Sequence, residues 1–214
     1  VIPRVLHRIW RGGPMPAEFV VYGNCWRKLH PKWECIDWLD DAQIPDAPAA
    51  AVFARARELA PRDHLRFEAD IMRLQLLWLL GGVYVDCDVQ PLRPLDELLA
   101  GVECFASWSP HRGGGGKRLL TNAVMGAVPG HPFIGACLAG LPAAVERYRG
   151  RSLAQMVGPW HISRVYERQA QGVTVFPERI FSPQANRDRD RGCIPDLSKS
   201  YAWHKWATSQ DRRK

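Results

Sequence analysis

The stretch LLGGVYVDCDV, Leu79 to Val89, decides how this chain is read. Two glycines break an apolar run, a short β-rich segment follows, and two aspartates then flank one cysteine. Gly81 and Gly82 supply the left-handed stop that ends a helix and that other residues resist. Val83 to Val85 then read as a buried strand from which Asp86 emerges. In open α/β sheets, ligands gather beyond the carboxyl ends of the strands, so Asp86 and Asp88 stand where a ligand is expected.

Upstream, the spacing of Leu65, Ile71, Leu74, Leu77 and Trp78 predicts a helix up to Leu80. It begins near Asp63, whose side chain can cap the free amides. Earlier still, residues 4–10 read as a strand stopped by RGGPMP and residues 18–30 as a helix. A second strand follows over 33–40, then an alanine-rich helix over 47–60 that Pro61 ends. Downstream, strands are expected over 102–107 and 122–128, joined by a mobile loop, WSPHRGGGGKRLLT, near the site. Helices are expected over 131–148 and 160–171 and a strand over 173–177; SYAWHKWATSQ closes the chain. The glycine run is not a phosphate loop, because His111 stands where the first glycine is needed and Arg118 where Ser or Thr is needed. Strands alternating with helices imply a single α/β domain over 1–214, its sheet mostly parallel and covered on both faces.

The 214 residues suffice for one such domain with a full core. The 29 basic and 22 acidic residues leave a net charge of +7, permissive for an anionic partner such as a nucleotide diphosphate or nucleic acid. Much of the excess lies in RDRDRG and DRRK, runs of the kind that are ordinarily solvated. None of the six cysteines forms a C-x-x-C pair, which excludes a zinc ribbon or redox motif and points to a reducing, cytoplasmic setting. Cys87, Cys104 and Cys137 look like small buried residues. No apolar run reaches the roughly 18 residues of a membrane span, and VIPRVLHRIW lacks the layout of a signal peptide.

Residues two apart on a strand point the same way if the extended geometry persists. Asp86 and Asp88 would then repel each other unless a cation or basic group lies between them. A magnesium or manganese ion that also binds substrate phosphates needs only one or two such carboxylates. For D-x-D alone, a turn aspartate beside a helix cap outweighs that reading. Asp70 and Arg73, three apart and so on one helix face, shift the balance, because their helix feeds straight into the pair. Metal binding by His7, His30 or His131 has no second ligand at a suitable spacing, and His161 suits a cap-region role.

The segment DIMRLQLLWLLGGVYVDCD resembles the hallmark of glycosyltransferases with a DXD sugar-binding region. That group includes the fungal initiating α-mannosyltransferases and, more distantly, the glucosylating clostridial toxins. IPRVLHRIW, TNAVMGAVPGHPF, VGPWHISRVYE and YAWHKWATSQ resemble further family segments in the same order. The resemblance implies a GT-A fold, a UDP- or GDP-sugar donor, Mn2+ or Mg2+, and transfer with retention of configuration. It implies that Trp10 stacks on the donor base and that Tyr84 contacts the nucleoside. Asp70 would reach the ribose or sugar hydroxyls, and Arg73 the sugar or its phosphate linkage. Asp88 would bind the metal directly, Asp86 through water or the ribose, and His204 as a further metal or diphosphate contact. Asn122 reads equally as a sugar contact or a turn residue. Two positions depart from the family pattern: Ala69 replaces a common serine, and Gln210 replaces a tryptophan of the closing segment.

The expected acceptor is a saccharide of capsule or lipopolysaccharide type. Modified DNA or a protein is the alternative acceptor, and an inactive sugar-nucleotide-binding module the alternative function.

Overall fold

A computed structural model describes residues 1–39 and 49–207. The chain opens with β1 (Val5–Ile9), α1 (Ala17–Leu29) and β2 (Glu34–Trp38). The expected alanine-rich helix is split into α2 (Ala50–Phe53) and α3 (Ala56–Leu59), each a single turn, and its first residues lie outside the described ones. Then come α4 (His64–Leu79) and β3 (Gly82–Val85), as the quoted stretch predicts. The cap expected from Asp63 is not made by its side chain. A short strand that the sequence pattern did not announce, β4 (Val89–Pro91), follows the aspartates.

β5 (Cys104–Arg112) and β6 (Arg118–Ala127) run much further than the expected segments. They consume most of the presumed loop and leave a 3-10 turn at Gly114–Gly116. The ladder that closes Arg112 against Arg118 extends a hairpin into what composition suggested was loop. The chain continues through α5 (Pro132–Arg147), α6 (Leu153–Met156), α7 (Pro159–Arg168), β7 (Thr174–Phe176) and α8 (Asn186–Asp190) to β8 (Ala202–His204).

Among the described residues the main sheet has the order β2-β1-β3-β6-β5-β7. β1 runs parallel to β2 and β3, β6 runs antiparallel to β3 and β5, and β7 runs parallel to β5, a mixed and mostly parallel sheet. β4 and β8 form a separate antiparallel pair. Along β3 the side chains alternate between two cores. Val83 and Val85 enter the layer with Trp26, Val89, Phe105 and Phe181, while Tyr84 enters the larger layer with α4 and α5. Strands buried on both faces in this way read as continuous apolar runs, which is why GVYV carries no polar alternation.

The turn between α4 and β3 requires its glycines. Gly81 and Gly82 have φ of 66° and 93°, and a Cβ on Gly82 would lie 2.5 Å from the Val5 carbonyl oxygen. Tight closure here sets β3 beside β1, and residue 86 follows at the carboxyl end of β3. Among the described residues no helix is long and apolar enough to cross a membrane. All six cysteines are free, and Cys87, Cys104 and Cys137 are buried.

Candidate active site

Asp86 continues the line of β3, its amide donating to the Ala123 carbonyl at 2.8 Å. Its side chain lies on the face of Tyr84, whose hydroxyl donates to Asp86 Oδ1 at 2.7 Å. The extended geometry does not persist to residue 88. A turn closed by Val89 N–H to the Asp86 carbonyl, 3.1 Å, swings Asp88 away from that face. The two carboxylates therefore converge through a turn, not through strand alternation.

α4 delivers Asp70 and Arg73 to Asp86. The Arg73 guanidinium lies 2.9 Å from both Asp70 Oδ1 and Asp86 Oδ1. It also donates to the Asn122 carbonyl at 2.6 Å and to the Ala69 carbonyl at 3.3 Å, and it covers the Tyr84 ring at 4.4 Å. Asn122 closes the network by donating from Nδ2 to Asp70 Oδ1 at 2.6 Å. Arg73 is thus a buried hub, and the planar five-donor fork explains why arginine fills it. Burial pushes the Asp70 carboxyl up, against the pull of Arg73. Burial would lower Arg73, but Asp86, Tyr84 and Asp70 together keep it firmly protonated.

Asp88 belongs to a different neighbourhood. The β4–β8 ladder pairs Val89 with His204, which brings the His204 Nε2 to 3.3 Å from Asp88 Oδ1. Ala207 donates its amide to Asp88 Oδ2 at 2.9 Å, and Lys205 donates its own to the Asp88 carbonyl at 3.0 Å. Burial favours the neutral forms of both Asp88 and His204, but their mutual attraction wins. The carboxyl is held below its ordinary range and the imidazole above its own. Trp206 stacks on His204 at 3.9 Å, meets His111 edge-on at 4.7 Å, and donates from Nε1 to the Gln184 carbonyl. Its φ of 56° is a conformation that a bulky residue adopts only when its surroundings hold it there.

Asp86, Asp88 and His204 each offer one ligand atom within 4.8 Å of the others. Two carboxylate oxygens and an imidazole nitrogen are a donor set suited to a divalent ion. One further observation fits: His204 Nδ1 is buried with no hydrogen-bond partner among the described residues. The ring therefore has a nitrogen to spare, and a flip exchanges the two.

Trp10 is half-buried at the end of β1, its Nε1 donating to the Gly13 carbonyl at 3.0 Å and its ring edge-on to Phe19 at 5.5 Å. Trp10, Met15 and Ala207 pack around the small cluster of Phe19, Tyr22 and Cys87. Cys87 is the hinge of this arrangement, its thiol 3.3 Å from the Ile9 carbonyl, and it joins the aspartate turn to the end of β1. Trp10, Asp70, Arg73, Tyr84, Asp86, Asp88, Asn122 and His204 are thus gathered in one region around the aspartate turn.

The GPW segment comes to the same place. A Cβ on Gly158 would lie 3.4 Å from Asp70 Oδ2, so α7 begins against that carboxylate. His161 has no cap-region role; it bonds the Cys137 carbonyl at 2.8 Å and ties α7 to α5. His7, His30 and His131 are committed to Gly81, Leu95 and Phe133 backbone groups respectively. Gln210 lies outside the described residues.

Sequence reasoning overlooked Trp26, whose Nε1 bonds the Val89 carbonyl at 3.1 Å and pins the strand after the turn. It also overlooked Gln184 and the contact of His111 with Trp206. None of these has a spacing signal, since each partner is remote in sequence.

The fold is that of GT-A glycosyltransferases. Residues 16–105 match the family described as glycosyltransferase sugar-binding region containing DXD motif. Inositol phosphoceramide mannosyltransferase 3 of Schizosaccharomyces pombe is 29% identical over 77% of this chain and 45% of its own length. The alpha-1,4-N-acetylglucosaminyltransferase of Homo sapiens is 24% identical over 76% of this chain and 49% of its own length. Among solved structures, the PaToxG glycosyltransferase superposes with a TM-score of 0.62 at 15% identity, covering 79% of this chain and 70% of that one. The chain spans about half the length of the curated relatives it matches.

Proposed function

We propose that this chain is a metal-dependent, retaining glycosyltransferase that moves a sugar from a UDP- or GDP-sugar to a hydroxyl of a saccharide or lipid-linked acceptor. The observation that carries the reading is the convergence of Asp86, Asp88 and His204 beside the Asp70–Arg73 pair. In this reading those three residues hold the divalent ion. The imidazole favours Mn2+, because Mg2+ prefers an all-oxygen shell. Such an ion, when bound, neutralises charge that gathers on the leaving diphosphate, an effect of several kcal/mol.

The chain's own residues prepare the rest. Arg73 orients Asp70 and Asp86 from below, acting as a positioning residue. Asp70 keeps Oδ2 toward the start of α7, where it can accept a hydrogen bond from a donor-sugar or ribose hydroxyl. Trp10 offers a ring to the donor base, and Asn122 locks the Asp70 rotamer. Within a retaining transfer, the occupancy of the nearby carboxylates favours a front-face course over a covalent intermediate. Asp70 and Asp86 are bound to Arg73, Asp88 to His204, and Glu68 to Arg11, which leaves none of these four as a ready nucleophile. The acceptor oxygen then bonds the anomeric carbon on the face from which the phosphate oxygen departs, and that phosphate takes the hydroxyl proton.

The two curated relatives differ in the sugar that their names give, mannose and N-acetylglucosamine, so the donor is left to measurement. The lipid in the fungal relative's name widens the acceptor class from capsule or lipopolysaccharide saccharides to lipid-linked ones. A reducing, cytoplasmic setting is part of the same proposal. Calorimetric titration of UDP-glucose, UDP-galactose, UDP-GlcNAc and GDP-mannose with Mn2+ tests it. One donor is expected to bind and to turn over slowly, and Asp88→Asn to abolish both. Silence across the panel, or full turnover by Asp88→Asn, would overturn it.

A further inference from the structure

The loop that carries Trp10 gets little definition from its own backbone. Gly12 and Gly13 follow with φ of 89° and 119°, and glycine has the most conformational freedom to lose. Contacts to other elements set the loop's position instead. The Trp10 amide donates to the Trp38 carbonyl at 3.1 Å. The Arg11 guanidinium crosses to α4, where Nη2 lies 3.1 Å from Glu68 Oε2 and Nη1 lies 3.5 Å from Met72 Sδ. Gly12 lies against the same helix, with Leu65 Cδ1 2.4 Å from where a Cβ would stand.

At about 100° per residue, Leu65, Glu68 and Met72 share one flank of α4, whereas Asp70 and Arg73 lie on another. The helix therefore stands between the Trp10 loop and the carboxylate network and is bonded to both. The Arg11–Glu68 pair is nearly buried, with side-chain exposures of 11% and 10%. Such a pair adds little net stability over apolar residues of similar volume, because desolvation offsets most of the attraction. What it supplies is geometry, since lifting the loop from α4 would strand one charge or both. An exposed pair such as Arg55–Glu58 can part into water without that penalty.

We propose that Arg11 and Glu68 are positioning residues for the sugar nucleotide. Their pair fastens the Trp10 loop to one flank of α4 and sets the separation between the ring offered to the base and the carboxylate, Asp70, offered to the sugar. The role rests on the glycosyltransferase reading for the ligand, but not for the fastening of Trp10.

Calorimetry with UDP and with GDP in Mn2+, beside NMR of the Trp10 indole N–H, tests it on the full chain. That N–H donates to the Gly13 carbonyl at 3.0 Å, so its resonance, identified by its loss in Trp10→Phe, reports whether the loop is held. Glu68→Gln strands Arg11, whereas Arg11→Met combined with Glu68→Leu removes both charges at similar volume. Both variants are expected to bind the parent's nucleotide at least about tenfold more weakly and to exchange the indole proton faster. The double variant should keep a urea midpoint close to the parent's, which separates positioning from loss of fold. Mn2+ affinity without nucleotide should stay within about threefold in both, because the metal ligands are remote from the pair. Exchanging the charges, Arg11→Glu with Glu68→Arg, should recover part of the nucleotide affinity. Parent-like affinity in the double variant, or weaker binding with the indole signal unmoved, overturns the proposal. A parent that binds neither UDP nor GDP overturns the glycosyltransferase reading instead. Faster indole exchange in Glu68→Gln would then still uphold the fastening, and unchanged exchange would remove that as well.

Discussion

Asp86 and Asp88 are two residues apart, yet they are held by opposite means. Asp86 is set by the core: a strand, a helix and a buried guanidinium hold it through Tyr84 and Arg73. Asp88 is set by the last described stretch of chain, through His204 and the backbone of Lys205 and Ala207. One carboxylate is therefore preorganised by folding itself. The other depends on a short two-stranded ladder and on a tryptophan in a left-handed conformation. The two halves of the site are therefore held by different parts of the fold.

The largest expected break falls on the half held by the core. Arg73→Ala leaves Asp70 and Asp86 buried without their cation, and a loss of about 3–5 kcal/mol of stability is expected in urea titration. Arg73→Lys should recover only part of it, because one ammonium cannot reproduce the fork. A comparable loss of stability in Asp88→Asn would contradict the division.

On the other half, His204→Ala removes a ligand and is expected to weaken Mn2+ binding by at least about 10–100-fold, the loss that outer-shell changes alone produce, read by calorimetry. Addition of Mn2+ at a hundred times its dissociation constant should stabilise the parent chain by about 2.7 kcal/mol. EDTA should reverse that gain and leave the circular dichroism spectrum unchanged, since in its absence the three ligands still have partners among themselves and the backbone.

The pH dependence separates the halves further. In the metal-free chain His204 holds its proton above the ordinary 6.5. Its pairing with Asp88 therefore stabilises fully below pH 6.5 and is lost as pH rises through the elevated folded value. Asp88 is depressed below 3.8, so its share is present above that pH and is lost as pH falls through the lower folded value. Thermal stability without metal should decline from pH 6.5 upward, and His204→Asn should flatten the decline. Mn2+ affinity should rise over the same interval, because the ion competes with that proton. A parent profile identical to that of His204→Asn would remove the pair from the account.

The smallest effect sharpens the comparison without breaking it. Tyr84→Phe removes one hydroxyl from Asp86 and should lower stability by about 1 kcal/mol, leaving Mn2+ affinity within about threefold.

Much of the frame was legible in the chain. The apolar spacing from Leu65 to Trp78, the glycine pair and the GVYV run dictate helix, stop and buried strand, because each is a local preference read within a few residues. Asp70 and Arg73 announced themselves as one helix face for the same reason. The hairpin of β5 and β6 was misjudged as loop, because polar and glycine-rich residues are stabilised there by cross-strand pairing that no local pattern records. The unannounced strand β4 exists only because β8, more than a hundred residues later, pairs with it.

The sequence by itself determined that two aspartates follow a strand, that a charged pair precedes them on a helix, and that a histidine lies near the end. Only the tertiary structure decided that Asp86 belongs to Arg73 and Asp88 to His204, and that the start of α7 faces Asp70. The physical reason is that helices, glycine stops and alternating strands are short-range preferences. A cluster of ligand atoms or a buried ion network is a matter of distances between segments far apart in the chain, and only packing sets those.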